Sequence, residues 1–416
     1  MMKLRRILAF LAAVLCLTYA QLAQAVPQDS FHEKYRLVQV IVLSRHNIRA
    51  PFNGPDSSLS KTTDHAWHDF GVAAGELTPR GAQMEEYMGR YFRQYVDQEG
   101  LFAAEYLPEK NDIRFAANGF QRTIATAQNF AKGFLPGLDV GVDYRGDVGD
   151  ADPTFLPGTA GHKEAFAAAN RAEVEALGGS SKLLQDIVPG IKLAAKVLDR
   201  PETDTAEVTA AVDDELRISE SFRPLMKACD ALTLQYYELG ADNAAFGHKL
   251  SFKEWQEIAA VKDLGIHLCR NVPTLSRALS RPLLSVIQEE LNTRQRRFTF
   301  LCGHDINIAS VMGAMEVKNT SLPETIEQES PIGCKIVVEE WEDRTGESFI
   351  NLKLIYPKSD QLAKAEPLTA VNPPEAVPLH LQNIRANEDG LITMQDFQQR
   401  LTDAIVSDAE LMGIHY

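Results

Sequence analysis

Cysteine is scarce in this chain, five in 416 residues, and no two form a C-x-x-C pair. That argues against ribbon and finger zinc sites, whose paired thiolates need such spacing. Basic residues are also in deficit, 42 Lys and Arg against 57 Asp and Glu, for a formal charge of −15. An acidic surface of that size argues against nucleic acid and anionic membranes as partners. Beyond the opening residues, no apolar run reaches the length of a membrane-spanning helix. Any anionic ligand must therefore be met by a local basic patch set against the overall field.

The opening residues have their own pattern. Lys3, Arg5 and Arg6 precede the short apolar run "ILAFLAAVLCLT", and "AQA" at Ala23 to Ala25 has the small residues of a cleavage site. Residues 1–25 are expected to be a secretory signal peptide, cleaved after Ala25, leaving a periplasmic or secreted chain. Losing its three basic residues takes the formal charge from −15 to −18. Cys16 leaves with it, while Cys229, Cys269, Cys302 and Cys334 stay. An even number in an oxidising space permits two disulfides, and spacing does not choose among the three pairings. A Cys302–Cys334 bond across neighbouring strands is one candidate.

Residues 36–44 are apolar and β-branched enough for a buried strand. After a polar loop, "LTPRGAQMEEYMGRYFRQYV" predicts a helix capped by Thr78 with Pro79 in its first turn. Met84, Tyr87, Met88, Tyr91, Phe92 and Tyr95 recur at helical steps and read as core. "NDIRFAANG" reads as a strand and "FQRTIATAQNFAKGF" as a helix with Arg122 in its first turn. From 141 to 271 long Ala- and Glu-rich stretches predict a mainly helical insertion. The helix "SRPLLSVIQEELNTR", a strand-turn-helix in "RRFTFLCGHDINIASVMGAM", and the alternating pair "GCKIVVEEWED" and "SFINLKLIYP" then restore the earlier pattern. The expected fold is α/β, a central mixed sheet flanked by helices, with core residues 26–140 and 272–416 and a cap at 141–271.

Two segments carry chemistry. In "LSRHNIRAPF" the strand ends in Arg45, His46 and Arg49. Flanking guanidinium groups disfavour a cationic imidazole, so His46 is expected to stay neutral and nucleophilic. The same guanidinium forks match the oxygens of a phosphoryl group. A neutral imidazole beside a bound phosphate is set up for nucleophilic catalysis through a phosphohistidine. In "CGHDINIAS" a second strand ends in His304 and Asp305, with a helix expected from about Asn307. Ligands of open α/β sheets gather beyond the carboxyl ends of strands, so both segments can face one pocket. There His304 would donate to phosphate oxygens and Asp305 would supply a proton to the leaving group, with a helix N-terminus favouring the anion.

"RHNIRAP" and "GHD" together resemble the two signatures of the histidine acid phosphatases. "LTPRG", "ANGFQRTIATAQNFAKGFLPG", "DPTFLP", "ALTLQYYELG" and "PIGCKIVVEEW" extend the resemblance over most of the chain, towards that family's periplasmic glucose-1-phosphatase branch. The resemblance implies His46 as nucleophile, Asp305 as proton donor, Arg45, Arg49, Arg122 and His304 as phosphate ligands, and no cofactor or metal. Asn47 stands where the family usually has glycine, and a tolerance of positive φ would let it keep the loop geometry. The implied partner is a small phosphomonoester, a sugar phosphate such as glucose 1-phosphate or alternatively inositol hexakisphosphate. A non-catalytic phosphate-binding protein would keep the arginines but need neither His46 nor Asp305. A mutase of the wider superfamily fits poorly with export.

Other features read more simply. His65 and His68 lack an obvious third ligand and are taken as a loop pair near the pocket rim. "NEDGLITMQDF" fails as a calcium loop because Arg385 falls at the first ligand position, leaving a turn before the last helix. Phe52, Trp67 and Phe70 are read as core.

Overall fold

The computed structural model describes residues 29–53, 57–103, 106–107, 111–157, 163–200 and 222–405. The predicted signal peptide lies outside them. A short helix α1 (Asp29–Lys34) leads into β1 (Tyr35–Arg45); α2 (Pro79–Gln98), β2 (Ile113–Ala117) and α3 (Gln121–Phe134) follow. Among the described residues five helices come next: α4 (Lys163–Ala176), α5 (Gly179–Val197), α6 (Arg223–Leu239), α7 (Phe252–Lys262) and α8 (Leu264–Asn271). The chain then forms α9 (Pro273–Thr293), β3 (Phe298–Gly303), α10 (Asp305–Ala314), β4 (Lys335–Asp343) and β5 (Ser348–Tyr356). It closes with α11 (Ser359–Lys364), β6 (Glu375–Pro378), β7 (Ile392–Thr393) and α12 (Met394–Ala404). Among the described residues no helix is long and apolar enough to cross a membrane.

One mixed sheet of seven strands runs in the order β2-β3-β1-β4-β5-β6, with β7 also paired to β5. Strands β2, β3 and β1 are parallel, whereas β4 to β7 join antiparallel. This is the mixed sheet with flanking helices that the alternating pattern predicts. β1 is buried along its second half because both its faces are covered, which explains why it reads as a continuous apolar run.

Two helices lock one face. Thr78 caps α2 by accepting from the Gly81 N–H at 3.0 Å, as its sequence predicts. Met84, Met88 and Phe92 are buried, and the tyrosines of the same stripe pack against that core. α2 and α3 cross at small residues: a Cβ on Gly89 would lie 2.1 Å from the Phe130 carbonyl oxygen, and one on Gly133 2.1 Å from that of Glu86. Under α3, Phe130 stacks on Phe300 at 4.1 Å and Phe134 on Phe298 at 4.3 Å. Each buried phenyl ring contributes roughly 1.5–3 kcal/mol through apolar area removed from water. The start of α3 is thereby fixed relative to β3.

Two expectations need correction. α9 begins at Pro273 rather than near Ser280, because Pro282 is accommodated inside the helix instead of opening it. Cys302 and Cys334 are not neighbours across adjacent strands: β1 lies between β3 and β4, and all four cysteines of the described residues are free thiols. Residues two strands apart are separated by about 9–10 Å, beyond the reach of a disulfide.

Candidate active site

The parallel register brings three strand ends to one edge of the sheet. Ala117 pairs with Cys302, Cys302 with Ser44, and Gly303 with Arg45. The ladder continues one residue further, the Asn118 N–H donating to Cys302 O at 2.9 Å and the His46 N–H to Gly303 O at 3.0 Å. The segments that follow, Asn118 to Arg122, His304–Asp305 and His46 to Arg49, therefore converge. Both predicted clusters meet here.

The loop after β1 is anchored along its length. The Thr78 N–H donates to Ile48 O at 2.9 Å, and the Ala50 N–H to Glu76 O at 2.9 Å. Gly81 permits this approach, since a Cβ there would sit 2.4 Å from Ile48 O. On the second strand end, Gly303 has the same use: its Cβ would fall 2.3 Å from Asn307 Oδ1. That oxygen instead accepts the His304 N–H at 2.8 Å and caps α10. The helix starts at Asp305, two residues earlier than its sequence predicts, so His304 is the capping residue.

His46 is buried, and its Nδ1 lies 2.8 Å from the Asn47 carbonyl oxygen. A carbonyl only accepts, so Nδ1 carries the proton and a neutral ring keeps its lone pair on Nε2. Burial, then the charges of Arg122, His304, Arg45 and Arg49, hold the imidazole well below the usual histidine range. His304 lies edge-on to His46 with ring centres 5.6 Å apart. Asn118 Nδ2 meets His304 Nε2 at 2.7 Å, while Asn118 Oδ1 accepts from the Gly119 and Asp152 N–H groups at 2.9 and 2.8 Å. With the amide oriented in that way, His304 accepts at Nε2 and has an Nδ1–H to donate. Burial, then Arg122, lowers its pKa too, so it donates as a neutral ring.

Three arginines surround this centre. Arg122 Nη2 is 3.5 Å from His304 Nδ1, two donors side by side rather than a hydrogen bond, and burial followed by repulsion from Arg49 pulls the Arg122 pKa down to about 10. Arg49 Nη2 contacts Asp230 Oδ2 of α6 at 2.9 Å, and Phe52 lies under both Arg49 (4.6 Å) and Arg122 (5.7 Å). Arg45 is buried between Asp305 Oδ2 at 3.3 Å and Glu327 Oε1 at 2.8 Å. Burial opposes its charge, but Glu327 and Asp305 outweigh that and raise its pKa. Glu327 is itself held by Lys262 at 2.7 Å and by the Tyr237 hydroxyl at 2.9 Å. Burial would push Asp305 up, yet Arg45, Lys262, His304 and Arg49 together leave its carboxyl below the ordinary range.

The structure thus gathers all six predicted residues, Arg45, His46, Arg49, Arg122, His304 and Asp305. It adds Asn118, Asp230, Glu327 and Lys262, which the sequence reading missed. Asn118 had a legible signal, a polar residue directly after the third parallel strand; the others come from the distant helices or a loop. Asn47 departs from expectation. Its φ is not positive, and its buried side chain is engaged in hydrogen bonds rather than in easing a turn. Phe70 is core, Trp67 packs against Phe246, and Phe52 stays 48% exposed at the rim, contrary to the core reading. His65 pairs with Asp199 at 2.8 Å and stacks on Phe246, apart from His68.

Known proteins resemble this chain along nearly its full length. The chain is 33% identical to glucose-1-phosphatase of Providencia rettgeri over 94% of its length and 98% of the relative's. It is 26% identical to phytase AppA of Escherichia coli over 96% of the chain and 100% of that protein. The solved apo phytase of Hafnia alvei superposes with a TM-score of 0.79 at 23% identity, covering 90% of this chain and 98% of that one. The family model of the histidine phosphatase superfamily, branch 2, matches residues 36–355. With that match spanning the strand ends that carry His46 and His304, the chain belongs to the histidine phosphatase superfamily and is a histidine acid phosphatase.

Proposed function

We propose that the protein is an exported phosphomonoesterase that hydrolyses sugar phosphates, glucose 1-phosphate first among them, through a phosphohistidine on His46. The observation that carries this reading is a buried imidazole with its lone pair on Nε2, set among Arg45, Arg49, Arg122 and His304. The two guanidinium groups nearest the surface and the Nδ1–H of His304 bind the phosphoryl oxygens, and Arg45 meets them from the interior. Nε2 attacks phosphorus in line, the ester P–O bond breaks, and the Asp305 carboxyl gives its proton to the departing oxygen. A water then attacks phosphorus, Asp305 takes its proton, and the P–N bond breaks to restore neutral His46. Stabilisation of charge on the equatorial oxygens by fixed cations supplies most of the rate gain.

Asp305 needs a proton that its surroundings withhold while the pocket holds only cations. A bound phosphomonoester places negative charge against Arg45 and Arg49, cancelling the attraction that keeps the carboxyl ionised. Substrate binding therefore arms the acid.

The mainly helical segment 141–271 serves as the cap that walls the leaving group. Asp230 on α6 brings a carboxylate to the mouth beside Arg49. A sugar hydroxyl donates to that group, whereas the further phosphates of inositol hexakisphosphate meet its charge. The similarity to a glucose-1-phosphatase supports the same choice. Specificity constants for glucose 1-phosphate, inositol hexakisphosphate and an aryl phosphate test it: the first is expected to exceed the second by about tenfold or more, the equivalent of about 1.4 kcal/mol. The reverse order assigns the chain to the phytases.

A further inference from the structure

Behind the nucleophile lies a buried ionic cluster that the chemistry above does not use. Lys335 opens β4 and Glu85 sits on α2; both side chains are fully buried and pair at 3.0 Å. Lys335 Nζ spends its other donors on Ser44 Oγ at 3.1 Å and Gly333 O at 2.9 Å. Ser44 Oγ in turn donates to Arg45 O at 2.9 Å, and the Gly333 N–H reaches His46 O at 3.3 Å. The oxygen of Glu85 that binds Lys335 also accepts from Asn47 Nδ2 at 2.8 Å. Asn47 Oδ1 accepts the Ile48 N–H at 2.8 Å, and the Asn47 N–H donates to Thr126 Oγ1 of α3 at 3.2 Å. Gly333 leaves room for the amide, since a Cβ there would stand 2.6 Å from Asn47 Nδ2.

Every peptide from Ser44 to Ile48 is thus tied to this cluster or to the elements that carry it. The second oxygen of Glu85 is buried without a hydrogen-bond partner. Burying a Lys–Glu pair is a poor source of stability compared with apolar packing, and an unsatisfied acceptor makes it poorer. What the pair does deliver is a fixed backbone beside His46.

We propose that Asn47, Glu85 and Lys335 are positioning residues for His46. Through the Asn47 side chain, the buried Glu85–Lys335 pair fixes the carbonyl that accepts the imidazole Nδ1–H, and so keeps the lone pair on Nε2. The inference rests on His46 being the nucleophile.

The test combines a spectrum with kinetics. In protein labelled with 15N at histidine, long-range proton–nitrogen correlations report each ring's tautomer, and His46→Asn assigns the signal. The wild type is expected to show His46 as one neutral tautomer with its proton on Nδ1. Asn47→Ala and Glu85→Gln are expected to mix the tautomers and to lower kcat on an aryl phosphate by about 10- to 100-fold, the usual scale for a lost supporting contact. KM should stay within about twofold, because phosphate ligands are untouched. Glu339→Gln is the control: it breaks a second Lys–Glu pair, between buried Glu339 of β4 and half-buried Lys353 of β5 at 2.7 Å, and should cost stability while leaving kcat and the His46 tautomer alone. A wild-type proton on Nε2 overturns the proposal, even if neither variant folds. So does a kcat per folded molecule that falls no further in Asn47→Ala and Glu85→Gln than in Glu339→Gln. Failure of the catalytic reading itself looks different, as an Nδ1–H tautomer in an enzyme that forms no phosphohistidine.

Discussion

At the scale of single residues, the decisive pair is Asp305 and Arg45, 3.3 Å apart. Their attraction holds the carboxyl low before substrate arrives, and the phosphate relieves it. Asp305 must be protonated to act as the acid, so kcat is expected to fall as pH rises through its pKa in the substrate complex. His46 must be neutral; burial first, then the cations around it, hold its pKa well below the usual histidine range in the free enzyme, so its protonation limits kcat/KM on the acid side. The working window is acidic by this sign. Asp305→Asn should flatten the alkaline limb of kcat and slow a sugar phosphate by about 10²- to 10⁴-fold, but an activated aryl phosphate far less. Steady-state profiles with both esters check it; equal slowing of the two would remove Asp305 from the proton-donor role. Arg45, Arg49 and both histidines were legible from sequence because charge following a buried strand is costly without a purpose, whereas Arg122, in the first turn of α3, was reached only through the family resemblance. Asn47 was misread there, since a polar side chain's partners lie on α2 and leave no trace in its neighbours.

Elements position these residues, and the close crossing of α2 with α3 matters most for the pocket. α2 carries Glu85 beneath the nucleophile loop, and α3 carries Arg122 into the pocket. Their backbones approach so closely at Gly89 that only glycine fits. Gly89→Ala is expected to destabilise the fold by about 1–3 kcal/mol through overpacking. It should also raise KM for phosphate esters, because α3 is pushed away with Arg122. Denaturant midpoints and KM values check this, and an unchanged midpoint would mean that the helices yield freely. The long, periodic elements were readable for the usual reason, a stripe of Met and aromatic residues on α2 and an apolar run in β1. The short strands β6 and β7 were not, because edge pairing of two to four residues depends on β5 rather than on local pattern. The same holds for α9, where Pro282 looked like a start and is carried inside the helix.

Across the whole molecule, an acidic chain encloses a small basic centre. The sequence carried both facts, but only the parallel register of β2, β3 and β1 joins residues 46, 122 and 304 into one pocket. Helices between 163 and 271 reach that pocket through Asp230, Lys262 and Tyr237, links that no spacing in the chain announces. The central claim about the molecule is that a phosphoryl group passes through the ring of His46. Mixing the enzyme with 32P-labelled glucose 1-phosphate, quenching within milliseconds in alkali and mapping the labelled peptide tests this directly. The label is expected on His46, stable to base and lost in acid, and absent from His46→Ala. Efficient hydrolysis with no labelled protein, or label on another residue, would contradict the account.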